Sequence, residues 1–147
     1  MVAIIQRVSN SCVKVDNKEI AKISKGFNIL LGILKGDTKE DIAKLTKKIA
    51  NLRVFANECG KMDLSITEVG GEALVVSQFT LAANVKKGKR PSFDRAMPPK
   101  EAKELYEEFC SELEKSIPTK RGVFGAMMEV EIINDGPVTF ILDSREL

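Results

Sequence analysis

The run at residues 27–34, which follows Gly26, constrains the fold more than any other stretch of this chain. It reads FNILLGIL, so apolar residues fill nearly every position instead of alternating with polar ones. A half-buried strand would alternate, whereas a strand covered on both faces reads as a continuous apolar run. The run is too short to span a membrane. We therefore expect an interior strand with protein on both sides of it.

The rest of the chain predicts further strands and two helices. Alternating residues around a turn at 16–18 indicate a hairpin, and residues 72–84, EALVVSQFTLAAN, read as one long strand. Thr38 is a suitable N-cap for a first helix, and Pro98-Pro99 begins a second one. Residues 121–135 and 138–143 supply the last strands. We find no repeat or boundary, so residues 1–147 form one α+β domain of about eight mostly antiparallel strands.

The composition excludes several kinds of chemistry. There is no histidine, so Ser-His-Asp, Cys-His and His-metal mechanisms are impossible within this chain. The three cysteines are far apart and form no CxxC pair, so we expect reduced packing residues and no metal site. The start of the chain lacks the features of a signal peptide, which favours the cytoplasm. The net charge of +2 does not by itself imply nucleic acid.

The most polar part of the long strand is Ser77-Gln78-Phe79-Thr80. If the strand continues, Ser77 and Phe79 share one face while Gln78 and Thr80 share the other. One interpretation is a strand that simply leaves the core, with Thr80 present for its β propensity. The other is a polar strand end that lines a pocket and offers hydroxyl, amide and backbone N–H groups to an oxyanion.

A basic loop follows this strand. It contains four cations in five residues: Lys86, Lys87, Lys89 and Arg90. Such a run is either a solvated loop or a set of phosphate contacts, which would position a nucleic acid without reading its bases.

The stretch Asn134-Asp135-Gly136-Pro137 separates two β-branched, apolar runs. A simple hairpin would favour Asn-Gly or Asp-Gly followed directly by strand. Here a proline, which lacks a backbone donor, stands at the mouth of the next strand. Both an ordinary turn and a functional loop are consistent with this pattern.

Small residues around 122–126 permit a close approach of the backbone, and Met128 after them fills the core or walls a pocket. The carboxylates are less informative. Nothing in their spacing singles out a general acid and a general base.

Taken together, these stretches resemble the D-aminoacyl-tRNA deacylases over nearly the whole chain. The matching stretches are QRVS at 6–9, LLGILKGD at 30–37, GKMDLS at 60–65, LVVSQFTLAA at 74–83, KGKRPSF at 87–93 and NDGPVT at 134–139. SQFTL and GPVT in this order and at this separation are specific together, although either alone is a weak signal.

The resemblance implies a three-layer β/β/α fold, in which two mostly antiparallel sheets pack as a sandwich or barrel beside a layer of two helices. It also implies a homodimer. The Gly136-Pro137 bond would be cis, and this dipeptide would reach into the partner's active site. Its backbone carbonyls would meet the substrate's α-amino group and leave no room for an L side chain.

The implied reaction is hydrolysis of the ester that joins a D-amino acid, or glycine, to the 3′-terminal adenosine of tRNA, without a cofactor. Phe79 and Thr80 would act mainly through their backbone, while Ser77 and Gln78 would shape the pocket. Thr80 as a nucleophile is the alternative. The absence of histidine disfavours it, because a threonine hydroxyl without a base is a poor nucleophile.

Other residues receive secondary roles from the resemblance. The basic loop would contact tRNA phosphates, Met128 would wall the pocket, and Arg7 would lie at the pocket and fix the Gly-Pro loop. Two positions depart from the family pattern: Val123 stands where many relatives have Arg, and Met127 where Asp is frequent. We expect neither a membrane nor a DNA partner.

Three other functions compete with this one. A non-catalytic RNA-binding module would bind aminoacyl-tRNA without cleaving it. A related deacylase with a trans Gly-Pro bond would act on mischarged L-aminoacyl-tRNA. A threonine hydrolase of the protease type would need an N-terminal threonine, which this chain lacks.

Overall fold

The computed structural model describes residues 1–147 and contains eight strands and two α-helices. The strands are β1 (Val2–Val15), β2 (Lys18–Ile23), β3 (Gly26–Gly32), β4 (Phe55–Ala56), β5 (Met62–Leu64), β6 (Glu72–Ser77), β7 (Thr119–Arg121) and β8 (Glu129–Asp143). The helices are α1 (Lys39–Asn51) and α2 (Pro99–Glu114). Two short 3-10 helices lie at Phe79–Ala82 and Ser144–Glu146. Neither α-helix is both long enough and apolar enough to cross a membrane.

Six strands form one sheet and β4 and β5 form a small second one. The first half of β1 pairs with β3 and its second half with β2, while β8 runs antiparallel along nearly all of β1. The pairs β3–β6 and β6–β7 are parallel, so four of the six pairings are antiparallel. The predicted α+β fold, with two sheets and two helices, is confirmed.

The hydrophobic core explains why β3 is so apolar. Phe27, Ile29 and Leu31 belong to a cluster of 21 buried residues that also contains the buried stripes of both helices. On the other face, Leu30 packs against a second cluster of five buried residues. Because successive side chains of a strand point to opposite faces, both faces of β3 are covered, as predicted.

The helix starts also agree with the sequence. The Thr38 hydroxyl accepts a hydrogen bond from the N–H of Glu40, and the Asp41 carboxylate accepts one from the N–H of Thr38. This capping box satisfies two of the free N–H groups at the start of α1. Pro99 occupies the first turn of α2, where its missing N–H costs nothing.

The long strand predicted at 72–84 is wrong beyond Ser77. The last ladder contact is made by the N–H of Gln78 with the carbonyl of Leu31, and the chain then turns into the 3-10 helix Phe79–Ala82. That helix crosses directly over Gly32. A Cβ atom there would lie 2.7 Å from the Cβ of Leu81, so only glycine permits this crossing.

The last strands also differ from the prediction. Residues 122–128 form a loop between β7 and β8 and not a strand. The stretch around Gly136 does not join two strands, because β8 is continuous through it. Asn134 pairs with Val8 and Thr139 pairs with Gln6, so residues 135–138 stand opposite the single residue Arg7 and bulge out of the ladder.

Candidate active site

A cleft of about 740 Å³ lies where the end of β6, the 3-10 helix Phe79–Ala82, the start of α2 and the segment 124–130 meet. Twelve of its 18 lining residues are hydrophobic. None of the 18 carries a titratable side chain. The cleft therefore suits a largely apolar ligand, and any chemistry in it must use hydroxyl, amide or backbone groups, or groups of the ligand.

The four polar-stretch residues predicted for the site, Ser77 to Thr80, all line this cleft. Gln78 donates a hydrogen bond from Nε2 to the Oγ1 of Thr80 at 2.6 Å. The first bond of the 3-10 helix runs from the N–H of Leu81 to the carbonyl of Gln78. The N–H groups of Phe79 and Thr80 therefore precede the first intrahelical bond and have no partner within the helix.

An aromatic pair stands at the mouth of the cleft. Phe79 is 57% exposed and meets Phe93 edge to face, with 5.0 Å between the ring centroids. Phe93 is not among the residues that the sequence predicts for the site. The signal that could have found it is an aromatic residue three positions after a basic run, a pattern that is also common in ordinary loops.

The basic loop extends from the same wall. Asn84 and Ser92 exchange two backbone hydrogen bonds, of 2.7 and 2.9 Å, and close a loop of residues 85–91 beside Phe93. All four cations in it, Lys86, Lys87, Lys89 and Arg90, are exposed. None of them forms an ion pair, so their charge is available to a ligand.

Met128 combines the two roles that the sequence left open. It lines the cleft and also packs against the smaller core cluster. A Cβ atom on Gly122 would lie 2.8 Å from its sulfur, so the glycine makes room for the methionine. Met127 lines the cleft too, but it is 92% exposed, whereas Val123 is not a lining residue.

The lining residues from α2 and its approach carry no comparable sequence signal. Met97, Pro98, Pro99 and Ala102 all line the cleft. Met97 and Ala102 also pack in the main core, so their apolar character would be the same without a site. Sequence reasoning missed them for this reason.

The Gly136-Pro137 loop lies elsewhere on the molecule. Its peptide bond is cis. Arg7 does not line the cleft, but donates from Nε to the carbonyl of Asp135 at 3.2 Å and from Nη1 to the carbonyl of Val54 at 2.6 Å. Arg7 also forms an ion pair with the Asp135 carboxylate at 3.2 Å. The loop is thus anchored to the body of the chain.

None of residues 134–138 lines the cleft. Strands β1 and β3 lie between β8 and β6, so the loop and β6 are three strand spacings apart. Along the strand direction, the pairing registers place the loop about four residues away from the end of β6. On strand geometry these offsets amount to about 20 Å along the sheet. The two most specific motifs are therefore not brought together within one chain.

The cysteines and carboxylates form no further site. Cys12 and Cys110 are buried packing residues, as expected, but Cys59 is exposed in the turn before β5, where the expectation of packing is wrong. Burial raises the pKa of the Cys110 thiol to about 11. No group of three or more Cys, Asp or Glu side chains is placed to hold a metal ion.

Comparison with known proteins identifies the family. The family model described as D-Tyr-tRNA(Tyr) deacylase matches residues 4–143. The D-aminoacyl-tRNA deacylase of a Nitratiruptor species is 67% identical, and that of Persephonella marina is 61% identical. Both alignments span 147 residues and cover all of this chain and all of the relative.

Two solved structures share the fold of this chain. The c-Myc DNA unwinding element binding protein superimposes with a TM-score of 0.92 at 43% identity, covering 97% of this chain and 98% of that one. A probable eukaryotic D-amino acid tRNA deacylase gives a TM-score of 0.84 at 16% identity, covering 96% and 97%, and shows the shared fold alone. The full-length matches leave one conclusion: the chain belongs to the D-Tyr-tRNA(Tyr) deacylase family.

Proposed function

We propose that this protein hydrolyses the ester bond between a D-amino acid and the 3′-terminal adenosine of tRNA. Water is consumed, and the free D-amino acid and intact tRNA are released. Family membership over the whole chain supports this activity. The observation that carries the choice of site is the pair of free N–H groups, those of Phe79 and Thr80, beside the large apolar cleft.

These N–H groups would stabilise the negative charge that develops on the ester carbonyl oxygen during attack. Backbone donors held in place before the reaction need no reorganisation, and one such donor typically contributes a factor of about 10²–10³ in rate. The cleft offers no base, because none of its lining side chains titrates. In this proposal the terminal ribose 2′-hydroxyl of the tRNA, which the substrate itself supplies, activates the attack.

Stereochemical selection would come from a second copy of the chain. The Gly136-Pro137 loop does not line its own cleft, which supports a site in which a partner brings the loop to the ester. One edge of β8 pairs with β1 and the other is unpaired, and Ile141 on this strand is 72% exposed. An apolar, unpaired strand edge favours association with another chain. We therefore propose a homodimer in which each loop completes the partner's site.

In that dimer the backbone carbonyls of Gly136 and Pro137 would accept hydrogen bonds from the substrate's α-amino group. The space beside them would hold the hydrogen of a D-amino acid but not an L side chain. Glycine has no side chain to exclude, so glycyl-tRNA would also be a substrate. The basic loop would contact tRNA phosphates near the mouth of the cleft.

The first test compares D-Tyr-tRNA and L-Tyr-tRNA under single-turnover conditions, together with the molecular mass by sedimentation. We expect a dimer that releases the D-amino acid and spares the L form. Binding of both without release would indicate a non-catalytic module. Release of the L form would indicate a deacylase of mischarged L-aminoacyl-tRNA. Either of these results would overturn the proposal.

A second test addresses the backbone donor. Phe79→Pro removes one N–H at the first position of the 3-10 helix, where proline is tolerated, and Phe79→Ala controls for loss of the ring. If the N–H stabilises the oxyanion, Phe79→Pro lowers the rate about 100-fold or more below Phe79→Ala. Equal rates in the two variants would remove this N–H from the mechanism.

A further inference from the structure

The side chain of Asn134 spans the base of the Gly136-Pro137 loop. Its Oδ1 accepts a hydrogen bond from the N–H of Val138 at 3.3 Å. Its Nδ2 donates to the Oγ1 of Thr139 at 3.1 Å. The same Oγ1 lies 3.5 Å from Nε2 of Gln6, on the neighbouring strand. The side-chain amide of Asn134, the residue before the loop, thus bonds Val138 and Thr139, where the loop ends.

This link stands where the sheet supplies none. Residues 135–138 bulge out opposite Arg7 and have no ladder partner in β1. Val138 is nevertheless buried, with 7% exposure, so its N–H requires an acceptor. The Asn134 amide is that acceptor.

Only asparagine or glutamine offers both a donor and an acceptor in one planar amide. An aspartate would keep the acceptor for the N–H of Val138 but lose the N–H that reaches Thr139. An alanine would lose both. The residue type at position 134 therefore matches the two tasks that its contacts define.

The other side of the loop is held by Arg7. Its guanidinium bonds the carbonyl of Asp135, and a Cβ atom on Gly136 would lie 3.0 Å from its Nη2. Arg7 thus fixes where the loop leaves the strand, and Asn134 fixes where it returns. The Gly136-Pro137 dipeptide lies between the two anchors.

We propose that Asn134 is a positioning residue for stereochemical selection, a role that rests on the proposed function of the Gly136-Pro137 loop. Asn134 touches neither substrate nor reacting atoms. It holds the loop at the distance from the partner's cleft that admits a hydrogen but not a side chain. Because such exclusion depends on placement to within about 0.5 Å, a loosened loop would admit L substrates before it lost D substrates.

The test measures single-turnover rates with D-Tyr-tRNA and L-Tyr-tRNA, together with the melting temperature. The variants are Asn134→Ala, Asn134→Asp, Thr139→Val and Thr139→Ser. The matched control is Asn51→Ala, which removes an exposed asparagine whose side chain bonds only the carbonyl of Lys47 at the end of α1. The wild type is measured first, because a wild type without preference for the D form would overturn the proposed function itself.

With a selective wild type, we expect Asn134→Ala to lower the D-to-L rate ratio at least tenfold, mainly through faster release of the L form. The D-to-L rate ratio of Asn134→Asp should lie between those of Asn134→Ala and the wild type. Thr139→Ser and Asn51→Ala should both keep the ratio of the wild type. A folded Asn134→Ala with a ratio within twofold of the wild type would overturn this inference alone. If Asn134→Ala does not fold, a lower ratio in Thr139→Val than in Thr139→Ser supports it, and equal ratios overturn it.

Discussion

The Nε2 of Gln78 lies 2.6 Å from the Oγ1 of Thr80 and donates a hydrogen bond to it. The threonine hydroxyl oxygen therefore faces an amide donor, which cannot accept its proton. A hydroxyl nucleophile needs a neighbouring base, and no lining residue of the cleft supplies one.

Thr80→Ala should therefore retain most of the activity, because the variant keeps the backbone N–H. We expect the single-turnover rate with D-Tyr-tRNA to fall less than about tenfold, whereas removing a true covalent nucleophile costs roughly 10⁴-fold or more. A loss of that larger size in a folded variant that still binds tRNA would establish Thr80 as the nucleophile.

The dependence of the rate on pH should contain no ionisation of a side chain that lines the cleft. No titratable side chain lines the cleft, so the bell shape that an acid–base pair produces is not expected. The one inflection should belong to the substrate's α-amino group, which ordinarily titrates near about pH 7.7–8.0. An analogue with a hydroxyl in place of this amine should remove the inflection. An inflection that persists with the analogue would reveal a protein group.

The basic loop should contribute to tRNA binding through phosphate contacts. We would replace three of its lysines by glutamine: Lys86, Lys87 and Lys89. Each lost contact should flatten the slope of log affinity against log salt by about 0.7–0.9. The matched control replaces three exposed lysines of α1: Lys44, Lys47 and Lys48. An equal change of slope in both variants would mean that the loop lysines act only through the overall charge of the molecule and make no phosphate contacts of their own.

The three thiols should react at very different rates. Burial raises the pKa of Cys12 and of Cys110, and the carboxylate of Glu131 adds to the effect at Cys12. Cys59 is exposed. A disulfide reagent should therefore titrate one thiol rapidly in the native protein and three after denaturation. Cys59→Ser should abolish the fast reaction, and a fast phase that survives it would contradict the burial of the other two.

Acid should destabilise the protein through Asp143. Hydrogen bonds from the Arg145 side chain lower the pKa of Asp143 to about 2, although partial burial opposes the shift. Since the ordinary value is 3.8, this stability is present above that pH and is lost as the pH falls towards 2. Asp143→Asn should lower the melting temperature at pH 7, and its difference from the wild type should vanish near pH 2. A constant difference would contradict the role of this carboxylate.

Short sequence patterns correctly predict those parts of the fold that depend only on residues close together in the chain. The capping residues of α1, the proline start of α2 and the apolar pattern of β3 need only their own neighbours in sequence, and all three agree with the structure. The end of β6 does not follow from such signals. Phe79 and Thr80 favour strands, but the ladder between β3 and β6 ends at Ser77, and the chain then crosses over Gly32 as a 3-10 helix.

The same limit applies to the site. Turn residues mark the place around Gly136 where regular pairing is interrupted, but they do not predict that β8 is continuous, which depends on pairing with β1 on both sides of the interruption. The sequence predicts the polar stretch from Ser77 as part of a site because its side chains are unusual for a strand. The apolar wall opposite, including Met97 and Ala102, resembles the core in composition and becomes a wall only through the packing of α2.

The bulge in β8 has a consequence for how this family can change. Because the strand pairs with β1 before and after residues 135–138, an insertion or deletion inside the bulge would leave both halves of the ladder paired as they are. The pairing of β8 with β1 therefore does not depend on the length of the loop. Under the proposed role of this loop, small changes in its length would alter which substrates are admitted, while the pairing of β8 with β1 would stay the same.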